Sequence, residues 1–468
     1  MILVLTNADT EILALRSVLE GLPDGFPAVR AANPTALDTV PDLDGVDAVL
    51  VRLLGGRRAW EAQFDALAAR CRETGIFLLA FGGEAQPDAE LTAASTVPSA
   101  TLAQAFEYLM HGGLANIEHL LRFVADTVLM GGFGFDAPVE LPAHAVLSGR
   151  PAPSGGPVIG VVFYRAHVLS GNVGFVEDLC SAIEARGATA VPVWCYSLRP
   201  DPDGRVRALE LLAERSVDVV VTTVLAMGSA RDDDWDASAL ASLGVPVVQA
   251  VAATQPQAAW EESTAGLGPL DVAMSVAIPE FDGRIVGPAF SFKEVVDDGD
   301  ALGTPVTAYR TASDRVERVA GIALRLAALA HIANADKRVA VVLSAYPTKR
   351  SRIGNAVGLD TPASVIDLLH AMVAAGYRVD RIPADGDSLM AELADALCYD
   401  REALTPVQLD QVAGRWGGGD YSAWFAGLPA ALTDVVTEAW GPPPGEVYRD
   451  GNDLVFPGLD LGHVLVAV

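Results

Sequence analysis

The chain has 468 residues, 51% of them apolar, with 32 Lys and Arg against 60 Asp and Glu, a formal charge of −28. A chain of that length predicts about three domains, and its apolar content excludes global disorder. The acidic balance excludes nucleic-acid binding through the overall field and adhesion to anionic membranes, and no apolar run is long enough for a transmembrane helix.

The opening MILVLTNADTEI reads as a strand and not as a signal peptide, because no basic residue precedes the apolar run and Asp9 and Glu11 follow it at once. Residues 2–5 predict the strand, and Asn7 or Asp9 can cap a helix carrying Ile12, Leu13, Leu15, Val18 and Leu19. The apolar runs 46–53 and 76–81 predict strands buried on both faces, and helices are expected over 99–110 and 114–130. The Gly- and Pro-rich stretch 132–157 interrupts helix and strand alike and marks a domain boundary, able to pack as an extended arm. Gly132-Phe133-Gly134 follows a helix instead of a strand, so it belongs to that linker and not to a dinucleotide loop.

The second segment opens with a strand at 158–163, the loop Tyr164–Asn172, a helix over 174–186 with Gly187 at its C′ position, and a strand at 189–194. Strands at 217–224 and 245–251 and a helix at 314–333 complete it. The third repeats this grammar: a strand at 338–344, a long loop, a helix from Pro362 to 375 capped by Thr361 or Asp360, Gly376, and a strand at 377–382. The period of about 180 residues points to paired domains and not to a solenoid. A helical stretch with Trp416, Tyr421, Trp424 and Trp440 leads through GPPPG to a closing strand or hairpin pattern that stops on an apolar residue, as if the chain were the front part of a longer protein.

The fold expected is α/β and multi-domain, with doubly wound, mostly parallel sheets of flavodoxin or Rossmann type. The domains are 1–131, 158–335 and 336–468, joined by the linker 132–157. The last two are related lobes facing a cleft, the second of them incomplete at its C-terminal end.

The usual catalytic signatures are absent: no Gly-Lys dipeptide and hence no P-loop, no H-E-x-x-H and no G-x-S-x-G. Two loops carry the chemistry instead. Tyr164, Arg165, His167 and Asn172 leave the C-terminal end of a strand, the edge where open α/β sheets bind ligands. Arg165 can grip a carboxylate, and His167 can ligand a metal or move a proton. At the equivalent place in the third segment, Lys349, Arg350 and Arg352 with Asn355 make a cationic loop beside a helix start, suited to an anion. Weaker candidates have structural readings: Glu280 and Asp282 sit in a turn, His370 is a half-buried packing residue, His111 ends a helix, and Asp232–Asp234 form a solvated loop. Cys71, Cys180, Cys195 and Cys398 are scattered with no C-x-x-C pair and read as buried thiols of a cytoplasmic protein.

YRAHVLSGN, PEFDGRI, WGPPPGE, LGHVLVAV and above all YPTKRSRIGNAVGLDTPASV resemble the large subunits (CobN) of aerobic cobaltochelatases, relatives of the H-type subunits of magnesium chelatases. The resemblance covers nearly the whole chain. It implies insertion of Co²⁺, as substrate, into the corrin precursor hydrogenobyrinic acid a,c-diamide during cobalamin biosynthesis. It places ATP and Mg²⁺ on partner subunits, an AAA+ motor and its companion (CobS and CobT), in keeping with the missing P-loop. In the family, the acidic and histidine residues of the insertion site follow the matched region. The resemblance therefore implies no catalytic or metal-binding residue here, and this chain alone is expected to be inactive. Substrate contacts are expected from Tyr164, Arg165, His167, Asn172, Lys349, Arg352 and Asn355. The competing readings are an H-type subunit of a magnesium chelatase, a non-catalytic two-lobed module binding a small anion, a sugar-nucleotide transferase with a diphosphate on the basic loop, and a structural docking arm.

Overall fold

The computed structural model describes the chain apart from Ala85 and residues 150–154, 202, 226–228, 232–233, 300, 346–351, 397–404, 411 and 446–447; of 229–231 and 234–236 it describes only the backbone. The first 82 residues supply four short apolar strands, β1 (Ile2–Thr6), β2 (Val29–Ala32), β3 (Ala48–Leu53) and β4 (Phe77–Gly82). They form one parallel sheet in the order β2-β1-β3-β4. Both faces are covered, so the strands are apolar throughout and not alternating. Val4, Leu50 and Phe81 face the helices α1 (Asp9–Val18), α4 (Ser99–His111) and α5 (Leu114–Thr127). Leu5, Val51 and Leu53 face α2 (Glu61–Thr74) and α3 (Ala89–Ala94) on the other side. Burying each such Leu, Val or Phe side chain contributes about 1.5–3 kcal/mol.

Neither Asn7 nor Asp9 caps α1: its N-cap is Ala8, without a side-chain bond. The Asn7 carboxamide instead exchanges two hydrogen bonds with the Leu54 backbone, at 2.8 and 3.0 Å. Strand β2 and helices α2 and α3 were not legible as expectations, since β2 is only four residues long and α2 carries just four buried residues among many charges.

The Gly/Pro stretch is an extended arm held in place. The Asp126 carboxylate accepts from the backbone N–H groups of Gly132, Phe133 and Gly134, and Asn116 exchanges hydrogen bonds with Val139. Its strand β5 (His144–Val146) edges the second sheet, antiparallel to β7 (Thr189–Cys195).

That second sheet holds β6 (Val158–Tyr164), β7 (Thr189–Cys195), β8 (Val219–Thr222), β11 (Val247–Ala253), β12 (Ile285–Asp297) and β13 (Val306–Thr311), with a separate hairpin of β9 (Ser229–Arg231) and β10 (Asp234–Asp236). Its order is β13-β12-β11-β8-β6-β7-β5, parallel from β12 to β7 and antiparallel at both edges. Helix α7 (Gly174–Glu184) and the helix Ser313–Ala330 cover one face, and α8 (Arg207–Ala213) covers the other. The expected loop Tyr164–Asn172 contains a short helix, α6 (Arg165–Leu169). The Pro279 turn is a helical turn, Ile278–Phe281, and the strand after it is interior to the sheet.

Met1–Ala328 forms one compact unit and Leu329–Val468 a second. The division falls at Ala328 and not in the Gly/Pro stretch because Leu302, Val306 and Ala308 join the core of the first sheet. Ion pairs Arg16–Asp297 (2.6 Å) and Lys293–Asp9 (2.5 Å) bridge the same two segments.

The second unit is built on β14 (Val339–Val342), which pairs in parallel with β19 (Val464–Ala467), itself antiparallel to β18 (Leu459–Asp460). The helix Thr361–Ala374 packs on this sheet, capped by the Asp360 carboxylate, which accepts from the Ala363 N–H at 3.1 Å. A second, antiparallel sheet joins β15 (Gly414–Trp416), β16 (Arg449–Asp450) and β17 (Asp453–Phe456). The strand expected at 377–382 is absent. A single bridge from Val379 to Gly462 stands there, because β19 takes the place beside β14. His370 is exposed, not half-buried: it points away from the face formed by Val365, Ile366 and Leu369.

Candidate functional site

Both parallel sheets of the first unit reverse their strand order once, β1 against β3 and β6 against β8. Beyond the carboxyl ends of strands at such a reversal lies the crevice where α/β sheets bind ligands. A cleft of about 400 Å³ opens among those carboxyl ends. One wall comes from the first sheet: Thr10 and Glu11 at the start of α1, Arg52 near the end of β3, and Glu84 just after β4. The other comes from the second: Arg165 and Ser170 on and after α6, and Tyr196 directly after β7.

The α4–α5 turn forms its floor through Gly112 and Gly113, with φ of +62° and +89°. A Cβ at Gly112 would meet Leu169 Cδ1 at 3.0 Å, and one at Gly113 would meet Leu141 Cδ1 at 2.7 Å; the leucine methyls can shift, but the backbone conformation requires glycine.

The electrostatics of the two walls differ. Arg52 pairs with Glu11 at 2.6 Å and donates to the Leu109 carbonyl at 3.1 Å, and Glu11 also accepts from the Thr6 hydroxyl at 2.7 Å. Arg165 donates from Nε to the Pro142 carbonyl (2.9 Å) and from Nη2 to the carbonyls of Leu141 (3.0 Å) and His111 (3.1 Å). Its burial pulls its pKa down from the usual arginine value. Tyr196 is 79% exposed.

Of the described residues proposed from the sequence as substrate contacts, only Arg165 lines this cleft. Tyr164 lies at the reversal of the second sheet, where its hydroxyl accepts from the Leu225 N–H at 3.0 Å and burial raises its pKa. Beside it the buried Arg284 pairs with Asp282 at 2.6 Å and donates to the carbonyl of Val224 and to Gln249 Oε1, both at 2.6 Å. Asp282 is thus the partner of Arg284, and Glu280 is exposed on the helical turn before it. His167 is buried edge-on against Phe175 and Tyr309, and desolvation lowers its pKa to about 4, so the ring is neutral at pH 7. Asn172 is buried and its Oδ1 accepts from the Tyr309 N–H at 3.1 Å.

In the second unit, Arg352 and Asn355 are exposed, the Asn355 carbonyl accepting from the Ser344 hydroxyl at 3.1 Å. Lys349 and Arg350 lie outside the described residues, as do Asp232, Asp233 and Cys398. Cys71, Cys180 and Cys195 are buried, and desolvation pushes the Cys195 thiol up to about 12. Among the described residues, no cluster of three or more His, Cys, Asp or Glu is placed to hold a metal ion.

Sequence reasoning missed Glu11, Arg52, Glu84, Tyr196 and Arg284. Two of them carried a signal: Arg52 is the one charge in the run AVLVRL, and Tyr196 follows an apolar strand without a break.

The strand orders define an α/β scaffold built on paired parallel sheets, with a charged cleft at their carboxyl ends. More narrowly, the chain belongs to the CobN/Magnesium Chelatase family, whose sequence model matches residues 106–468. It is 32% identical to CobN of the aerobic cobaltochelatase of Pseudomonas aeruginosa, over the whole of this chain and 38% of the relative. It is 26% identical to the H-type subunit of the magnesium chelatase of Rhodobacter capsulatus, over 77% of this chain and 32% of the relative. Among solved structures, the catalytic subunit of cobaltochelatase from Mycobacterium tuberculosis superposes on all of this chain with a TM-score of 0.76 and 42% identity, over 38% of its own length. The chain therefore spans about two fifths of the length of the cobaltochelatase relatives it matches.

Proposed function

We propose that this chain is the tetrapyrrole-binding portion of a cobaltochelatase large subunit. In this reading the whole protein inserts Co²⁺, its substrate, into hydrogenobyrinic acid a,c-diamide, while Mg·ATP is hydrolysed on an AAA+ motor and its companion. The work takes place in the cytoplasm. The observation that carries the reading is the likeness over the full chain, at 42% identity, to a cobaltochelatase catalytic subunit. Cobalt is favoured over magnesium by the higher identity to the cobaltochelatase relative, 32% against 26%. No helix among the described residues is long and apolar enough to cross a membrane.

Insertion requires holding the macrocycle by its carboxylates and amides, removing two pyrrole protons and delivering a partly dehydrated cation. This chain's share is the holding. The cleft of the first unit, with Arg165 on its wall, is the place proposed for it. Tyr164 is bonded to Leu225, and His167 and Asn172 are buried beside Tyr309, so Arg165 is the member of that group offered to the cleft. Lys349, Arg352 and Asn355 offer a second set of contacts.

The test is a spectroscopic titration of the 468-residue chain with hydrogenobyrinic acid a,c-diamide. Saturable binding is expected. A Lys349→Ala/Arg352→Ala double variant that binds more weakly assigns the basic loop a contact, and one that binds equally removes it from the site. Absence of binding to the unaltered chain overturns the reading.

A further inference from the structure

The two arginines of the cleft are not equivalent. The charge of Arg52 is met by Glu11 at 2.6 Å, so that pair is internally neutral. Arg165 is clamped by three carbonyls, which fix the plane of its guanidinium without neutralising it. Glu140 on the arm favours its charge from beyond ion-pair distance, no described carboxylate forms an ion pair with it, and its Nη1 makes no hydrogen bond to a described residue. Across the same cleft Glu84 is exposed and likewise forms no ion pair with a described cation. One cation and one carboxylate, neither of them in an ion pair with a described residue, thus face a single space of about 400 Å³, with an exposed tyrosine ring at its rim.

Such a space does not suit a ligand edge that is purely anionic, because Glu84 repels it. Nor does it suit a neutral edge, which leaves Arg165 unmet. It suits an edge that presents a carboxylate and, beside it, a hydrogen-bond donor without negative charge. A carboxamide is such a donor. A guanidinium placed in advance binds a carboxylate with little loss of conformational freedom, and a carboxylate accepts from an amide N–H in a charge-assisted bond.

Resting on the function proposed above, we propose that this cleft reads the amidation state of the macrocycle's rim. Arg165 grips a remaining carboxylate, Glu84 accepts from a neighbouring carboxamide, and the Tyr196 ring lies against the macrocycle. The volume is that of a pocket for one edge of a tetrapyrrole, with the rest of the ring outside it.

The experiment compares binding of hydrogenobyrinic acid, which carries no amides, with binding of its a,c-diamide to the full 468-residue chain and to two variants. The unaltered chain should prefer the diamide by about tenfold, the worth of one charge-assisted hydrogen bond. Glu84→Gln should bring the two ligands to near-equal affinity with an unchanged melting temperature, since Glu84 is exposed. Arg165→Gln should weaken both ligands by about tenfold or more.

The inference is overturned if Glu84→Gln keeps the preference. It is equally overturned if Arg165→Gln binds as the unaltered chain does; a lower melting temperature would then mark Arg165 as a tie between the arm and α4 and nothing more. If the unaltered chain binds neither ligand, the functional reading itself falls. If it binds both and the variants change nothing, only the reading of amidation falls.

Discussion

The first unit contains the same topological device twice, and the two copies have been put to opposite uses. In the sheet β2-β1-β3-β4 the reversal lies between β1 and β3, and in the larger sheet between β6 and β8. The crevice of the first leads into a cleft, lined by Glu11 and Arg52. The crevice of the second is plugged: Arg284 fills it with its charge paired to Asp282, and the Tyr164 hydroxyl closes over it onto Leu225. Topology thus marks where a ligand can bind, and a single buried side chain decides whether one does.

The plug gives the largest predicted effect. Both members of the Arg284–Asp282 pair are fully buried, so Asp282→Ala strands a buried cation and should cost about 3–5 kcal/mol. Replacing both, as Asp282→Leu with Arg284→Met, should recover most of that loss, because an apolar pair carries no desolvation penalty. Thermal unfolding of the two variants against the unaltered chain decides it. A double variant no better than the single one would show that the Arg284 contacts to Val224 and Gln249 matter more than its charge.

The second effect is pH-dependent. His167 stands behind the plugged sheet with its pKa lowered from 6.5 to about 4. The unfolded chain then binds more protons than the folded one between those two values, so stability is complete above about pH 6.5 and is lost as the pH falls through that window. The loss reaches at most about 3 kcal/mol. His167→Leu should flatten the stability profile between pH 4 and 6.5, and a profile as steep as before would assign the acid sensitivity to other groups.

Much of this arrangement was legible in the sequence. The parallel strands announced themselves as apolar runs without alternation, and the ends of β6 and β7 came within a residue of expectation. Arg165 was found because it follows a strand directly, and chain direction alone puts it at the binding edge. What escaped was set by partners remote in sequence. Glu84 and Arg52 mean little until β3 and β4 lie side by side, and Arg284 reads as part of a turn until the Val224 and Leu225 carbonyls arrive 60 and 59 residues away in sequence. The sequence suggests four polar groups of the Tyr164–Asn172 loop as ligand contacts. The fold spends His167 and Asn172 on burial against Phe175 and Tyr309, a choice that rests on tertiary packing.

The smallest effect tests the open crevice. There the loops after β1 and β3 are tied by one side chain, Asn7, which accepts from the Leu54 N–H and donates to the Leu54 carbonyl. Asn7→Ala removes both bonds at an exposed position where water can replace them, so the cost should be about 1 kcal/mol. The more telling readout is local. Without the tie, the Leu54 amide loses its side-chain acceptor and should exchange with solvent faster by about fivefold to tenfold, the equivalent of that cost. The Leu225 amide, held by Tyr164 in the plugged crevice, should keep its rate. If both amides accelerate together, the two crevices are coupled through the shared core at Leu302 and Val306, and the second sheet is not an inert support for the first. If neither changes, the backbone of β1 and β3 alone holds the cleft's edge, and the Asn7 tie adds nothing to it.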